Sequence, residues 1–182
     1  MQPMQPGQPK PPSDWTEPFR NATRSAVHLE MRDSYGVATE AAAFAHWRET
    51  GERDNDPGSA HWQPWVTLIR DMVARGVVVR RARITSEPVS DYIRYEHAGT
   101  HVILSAGELV RWLPRRLASD LALPGNDFWL FDDTLVRFGH FTGDGALAGH
   151  EMRDEPSVIK LCAEAFEAVW QRAIPHEDYP IS

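Results

Sequence analysis

Two hydrophobic periods divide the chain. Between residues 60 and 75, Trp62, Trp65, Val66, Ile69, Met72 and Val73 recur at helical spacing and Gly76 follows. The spacing predicts a helix with a glycine stop. Directly behind it, VVVRRARI at 77–84 is a β-branched run of strand length. Helix, glycine, strand is the order of a β/α unit with a largely parallel sheet. A second amphipathic helix is predicted over 155–173, where Val158, Leu161, Cys162, Ala165, Phe166, Val169 and Trp170 share a face. A third is predicted over 36–50, with Thr39 placed to cap it and Gly51 to end it.

The period-2 segments are shorter. ELVRWL at 108–113 and FWLFDD at 128–133 read as strands. TLVRFGHF at 134–141 alternates, TGDG turns, and ALAGHEMRD gives one more strand. Val27, Leu29 and Met31 alternate enough for a short strand within a segment, 15–30, that is otherwise hard to assign. Residues 87–106 are ambiguous; they can start with Pro88 in a first turn and run on as a helix. GERDNDPGS at 51–59 and RRLASDLALPGND at 115–127 are connections. The resulting order, α–α–β–α–β–β–β–β–α, predicts an α/β fold with a mixed β-sheet flanked by helices.

Residues 1–14 hold five prolines among Gln and Gly, and such a stretch buries too little apolar area to offset its ordering entropy. A disordered leader is expected there, with a single α/β domain over 15–182. The 182 residues are 42% hydrophobic and 25% charged, an ordinary globular balance. No apolar run nears the ~20 residues of a membrane span, and the first residues lack the apolar core of a signal peptide. A cytoplasmic protein is expected, without a membrane partner. Nineteen Lys and Arg against 26 Asp and Glu give a net charge of −7, which argues against direct, specific nucleic-acid binding. A single cysteine, Cys162, excludes an internal disulfide framework and a cysteine zinc site.

The candidate chemistry is scattered. Asp127, Asp132 and Asp133 surround FWLF beside Trp129. Carboxylates at a strand end either line a ligand crevice or make turn hydrogen bonds. On a helix over 87–106, Asp91 and Arg94 share one face, and so do His97 and His101. The histidine pair can supply two metal ligands and needs a third from elsewhere; ordinary half-buried histidines are the alternative. His140 and His150 flank the TGDG turn and are placed to face one another across a hairpin. Arg80, Arg81, Arg83, Arg111, Arg115 and Arg116 form either a basic patch or exposed arginines that discourage edge pairing. Neither a phosphate-binding glycine loop nor a Gly-x-Ser-x-Gly elbow is present.

RDMVARGVVVRRARI at 70–84, with the stretch from FWLFDD through the final helix to Ala173, is similar to the C-terminal part of phospholipase D-like domains. The likeness covers roughly residues 60–173. SDYIRYE at 90–96 and DFWLFDD at 127–133 also resemble an uncharacterised actinobacterial family often encoded beside helix-turn-helix regulators. Phospholipase D-like enzymes need a His-x-Lys pair before the acidic strand; the resemblance puts Gly125 and Asp127 there, and no His-x-Lys occurs in the chain. The resemblance therefore implies one half of such a fold without its phosphodiester chemistry. The function expected is a non-catalytic regulatory or interaction module without a cofactor. Its partner would be a helix-turn-helix regulatory protein, or a small ligand near Asp127, Trp129, Asp132 and Arg94; a homodimer is possible. The alternative is a small cytoplasmic enzyme with an Asp/His site, in one version metal-assisted.

Overall fold

The computed structural model describes residues 14–182. The expected leader, apart from Asp14, lies outside the described residues. The fold is α/β, a mixed sheet flanked by helices on both faces. Three strands run parallel: β1 (Ser25–Glu30), β2 (Val78–Thr85) and β3 (Leu109–Pro114). Beyond β1 lies an antiparallel meander of β4 (Phe128–Phe131), β5 (Leu135–Phe141) and β6 (Leu147–Arg153). Beyond β3 lies the two-residue β7 (Ile174–Pro175). Among the described residues the strand order is β6-β5-β4-β1-β2-β3-β7.

The central strand is thus β1, in the segment with the weakest pattern. SAVHLE offers six residues with a His and a Glu, and it looks polar in sequence. In the sheet those two side chains meet arginines of β2, while Ala26, Val27 and Leu29 are buried.

Side-chain alternation sorts the sheet into two different faces. One is apolar: Val27, Leu29, Ala82, Ile84, Leu113, Phe128 and Leu130 pack against Cys162, Phe166 and Val169 of α5 (Pro156–Arg172). The other is mixed. Its apolar parts meet α1 (Glu17–Asn21) through Phe19 and α3 (Gln63–Ala74) through Val66, Ile69 and Met72. Val110 and Trp112 meet Ile93 and Ile103 of α4 (Asp91–Ser105). Its polar part, between these patches, is the site described below.

The helix ends follow their caps. The α4 helix begins at Asp91 rather than in the turn of Pro88, because the Ser90 hydroxyl accepts from the Ile93 amide at 3.1 Å. The α3 helix runs into β2 through Gly76, whose φ of 86° suits glycine. The helix expected over 36–50 is shorter, α2 (Ala41–Thr50). Glu40 rather than Thr39 holds its cap position, and none of its residues is buried. Among the described residues, no helix is long and apolar enough to cross a membrane.

Candidate functional site

The strand register writes two rows of side chains across the mixed face. One row sets Arg81, His28, Trp129 and Arg137 side by side on β2, β1, β4 and β5. The next sets Trp112, Arg83 and Glu30 on β3, β2 and β1. Asp127 continues it as the residue before β4, and the Gly139 amide donates to the Asp127 carbonyl at 2.9 Å. The helices add Glu96 from α4 and Trp65 from α3, and the loop before β3 adds Glu108.

The charges form an alternating chain. Arg81 donates to Glu108 at 2.5 Å and to Glu30 at 2.7 Å. Arg83 lies 3.1 Å from Glu30 and donates to Glu96 at 3.1 Å. Arg53, whose side chain is 5% exposed, lies 3.8 Å from Glu96 and donates to the Tyr95 carbonyl. The Trp65 indole donates to the far oxygen of Glu108 at 3.2 Å. Three arginines thus balance three glutamates in a layer where an unpaired charge would be very costly. Burial pushes the Glu30 carboxyl up, but Arg83 and Arg81 outweigh it and hold the group at about 2. Burial likewise opposes ionised Arg81, and Glu108 with Glu30 outweighs that, so its value is raised. Burial keeps His28 well below its ordinary value, with nearby arginines adding to the effect, so this ring is neutral. It stacks on Trp129 at 4.3 Å.

Two adjoining cavities open onto this chain. The larger, about 520 Å³, extends from His28 and Arg81 past Asp127 to Arg137 and His150. Residues 35–40 and the β5–β6 hairpin form its outer wall. The smaller, about 320 Å³, lies toward Arg53, Trp62 and Gly99. His28, Glu40, Arg81, Glu96 and Trp129 border both. Arg53 lies so close to Gly99 that a β-carbon there would sit 2.4 Å from its guanidinium carbon. In the larger cavity Asp127 accepts from the Met31 amide at 2.9 Å and from the Tyr35 hydroxyl. Burial pushes its carboxyl up to about 6; the Tyr35 hydrogen bond pulls the other way, and Glu30 adds to the rise.

Of the residues singled out from sequence, the structure brings Asp127 and Trp129 together in the cavity. The others stand elsewhere. Because β4 runs antiparallel to β1, its C-terminal end lies at the N-terminal edge of the parallel strands. Asp132 and Asp133 are therefore at the opposite end of the sheet from Asp127. Asp132 caps the Thr23, Arg24 and Ser25 amides at 2.8, 2.7 and 2.9 Å. Asp133 is exposed, and both residues have positive φ in the β4–β5 turn. Asp91 is exposed, 3.5 Å from Arg48, and Arg94 borders neither cavity. His101 is exposed, while His97 packs on Trp112 and His176. Among the described residues no three His, Cys, Asp or Glu are grouped to hold a metal ion.

His140 and His150 do not face each other. His150 is opposite Gly139 and His140 opposite Gly149, so the one-residue offset sends them to different faces. The arginines form no common patch, for the same reason. Arg81 and Arg83 enter the cavity layer, while Arg80 turns to the α5 face and pairs with Glu167 at 2.6 Å. Of this layer, Arg81 and Arg83 stand out in the sequence only as members of an arginine cluster, and Glu30, Arg53, Glu108, His28 and Arg137 do not stand out as site residues. One signal for them exists: in RRAR two arginines fall on the same face of a strand whose other positions are apolar.

The sheet and its site define a class, an α/β protein with a charge-lined cavity between a mixed sheet and its helices. The chain belongs to the family described as a domain of unknown function, DUF6879, which it matches over residues 13–180. No curated protein matches it.

Proposed function

We propose that the chain is a non-catalytic ligand-binding module, with a regulatory role, whose small ligand occupies the larger cavity. One observation carries this reading. Six buried side-chain polar atoms make no hydrogen bond among the described residues, and five belong to residues bordering the two cavities: Nε of Arg53 and of Arg137, and His28 Nδ1, Arg83 Nε and Glu96 Oε1, which have only ion-pair contacts at 3.5, 3.1 and 3.8 Å. Buried polar atoms are ordinarily satisfied, so a cluster of them around hollow space fits a site that a ligand completes. The cavity volume suits a small molecule. A helix-turn-helix regulator as the partner that reads out the ligand belongs to the same proposal, and rests on the family resemblance alone.

The test exposes the purified chain to a small-molecule extract of its host, separates it by gel filtration and identifies retained compounds by mass spectrometry. A compound held near one per chain is expected. It should be lost from Val37→Trp, which places an indole at the cavity wall from a position already 37% exposed. Wild-type protein that retains nothing overturns the reading.

A second reading has one observation of its own. Asp127, with its carboxyl near 6 and its hydrogen bond from Tyr35, suits general acid–base work. Conversion of the retained compound by wild type but not by Asp127→Asn would establish this enzyme reading in place of the first.

A further inference from the structure

The charge chain leaves one buried cation over. Arg53, Arg81 and Arg83 are matched by Glu30, Glu96 and Glu108. Arg137 is not matched. It is 7% exposed, and no charged partner acts on it: burial is the one influence on its titration. One nitrogen, Nη1, donates to the Trp15 carbonyl at 2.7 Å, and its Nε has no partner. The rings of Phe19 and Phe131 lie under the guanidinium, with centroids at 5.0 and 5.8 Å. Burial alone depresses its value to about 10, with no anion opposing. A buried arginine without a counter-ion is costly, and this one borders the larger cavity, in the row of His28 and beside the row that holds Gly139 and His150.

We propose that the cavity ligand is an organic carboxylate whose negative charge pairs with Arg137 and whose apolar body lies toward Val37, Phe141 and Leu147. The assignment rests on the ligand-binding reading above and narrows it. Charge count favours a carboxylate over a dianionic phosphate monoester. Arg137 offers one positive charge that no carboxylate pairs, while His28 and His150 both have lowered values and add none at neutral pH. A second negative charge would meet Glu30, Glu40, Glu96 and Asp127, which border the same space. The apolar end follows from the outer wall, where Val37 and Leu147 are 37% and 53% exposed around the Phe141 ring.

The test uses phenylacetate, phenyl phosphate and the neutral 2-phenylethanol, titrated against the full chain by calorimetry. Phenylacetate is expected to bind at least tenfold more tightly than either of the others. Arg137→Gln should erase that preference. Arg137→Lys, which keeps the charge, should retain most of it, and Arg80→Gln on the other face should leave it intact. Equal affinity for the acid and the alcohol, or an Arg137→Gln variant that still prefers the acid, overturns the assignment. Should the Gln variant fail to fold, the comparison of ligands on wild type decides. A neutral or cationic compound retained from host extract would sink the carboxylate and leave the ligand-binding reading standing. No retained compound at all would sink both.

Discussion

At the residue scale, burial decides what an ion pair is worth. Glu108 has a fully buried side chain and holds Arg81 and the Trp65 indole. Removing it leaves a buried guanidinium half-matched, so Glu108→Ala should cost about 3–5 kcal/mol in urea denaturation. Lys160 and Glu164, exposed on α5 and 3.7 Å apart, set the contrast. Glu164→Ala should change stability by less than about 1 kcal/mol in the same measurement. Composition could not separate these glutamates. Glu108 opens ELVRWL, where a charge before an apolar run reads as the solvent end of a strand. Its partners, Arg81 and Trp65, lie 27 and 43 positions away, and such pairing leaves no trace in local periodicity. Asp127 and Trp129 are legible because one precedes and the other lies within FWLF, an apolar run of strand length.

At the element scale, amphipathic spacing locates α3 and α5 well, gives no sign of α1, leaves α4 ambiguous, and says little about how firmly the helices are held. The α5 helix buries Cys162, Ala165, Phe166 and Val169, whereas α2 buries nothing. What holds α2 is a set of ring contacts: Phe44 with Tyr92 and Tyr95 at 5.5 and 5.3 Å, and Trp47 with Tyr95 at 5.6 Å. Amide hydrogen exchange read by mass spectrometry should therefore show 41–50 exchanging orders of magnitude faster than 160–170. Equal protection would mean that the aromatic contacts hold α2 as firmly as a core. Strand type was less legible. The end acids of FWLFDD fit either a ligand crevice or a turn in the sequence, and antiparallel pairing with β1 puts Asp132 and Asp133 in the turn. Strand direction depends on which neighbour a strand finds, and the long connection from β3 to β4 carries no pattern to say so.

At the scale of the whole molecule, the cavity layer links protonation to folding. Asp127 stands at about 6 in the folded chain against an ordinary 3.8. Below pH 6 the folded state therefore takes up a proton that the unfolded state does not yet hold, and stability from this group rises as pH falls toward 4. Glu30 works in the other direction: held at about 2 against 4.5, its stabilisation is complete above pH 4.5 and lost as pH falls toward 2. His28, His150 and His176 all have lowered values, so below pH 6.5 their unfolded forms gain protons first and stability declines. These contributions are shared by wild type and Asp127→Asn, and their difference isolates Asp127. Wild type should gain on the variant by on the order of 3 kcal/mol between pH 7 and pH 4, measured by chemical denaturation across that range. Parallel curves would show that Asp127 titrates normally. The alternation of β2 has a consequence for how the chain reaches this state. A slip of one residue in its pairing would swing Arg81 and Arg83 beneath α5, among Cys162, Phe166 and Val169, and press Ala82 and Ile84 against glutamates. An all-apolar strand would tolerate that error. Here a misthreaded sheet buries two arginines among apolar side chains and takes their partners from Glu30, Glu96 and Glu108, so the charges that line the cavity also proofread the register in which it is built.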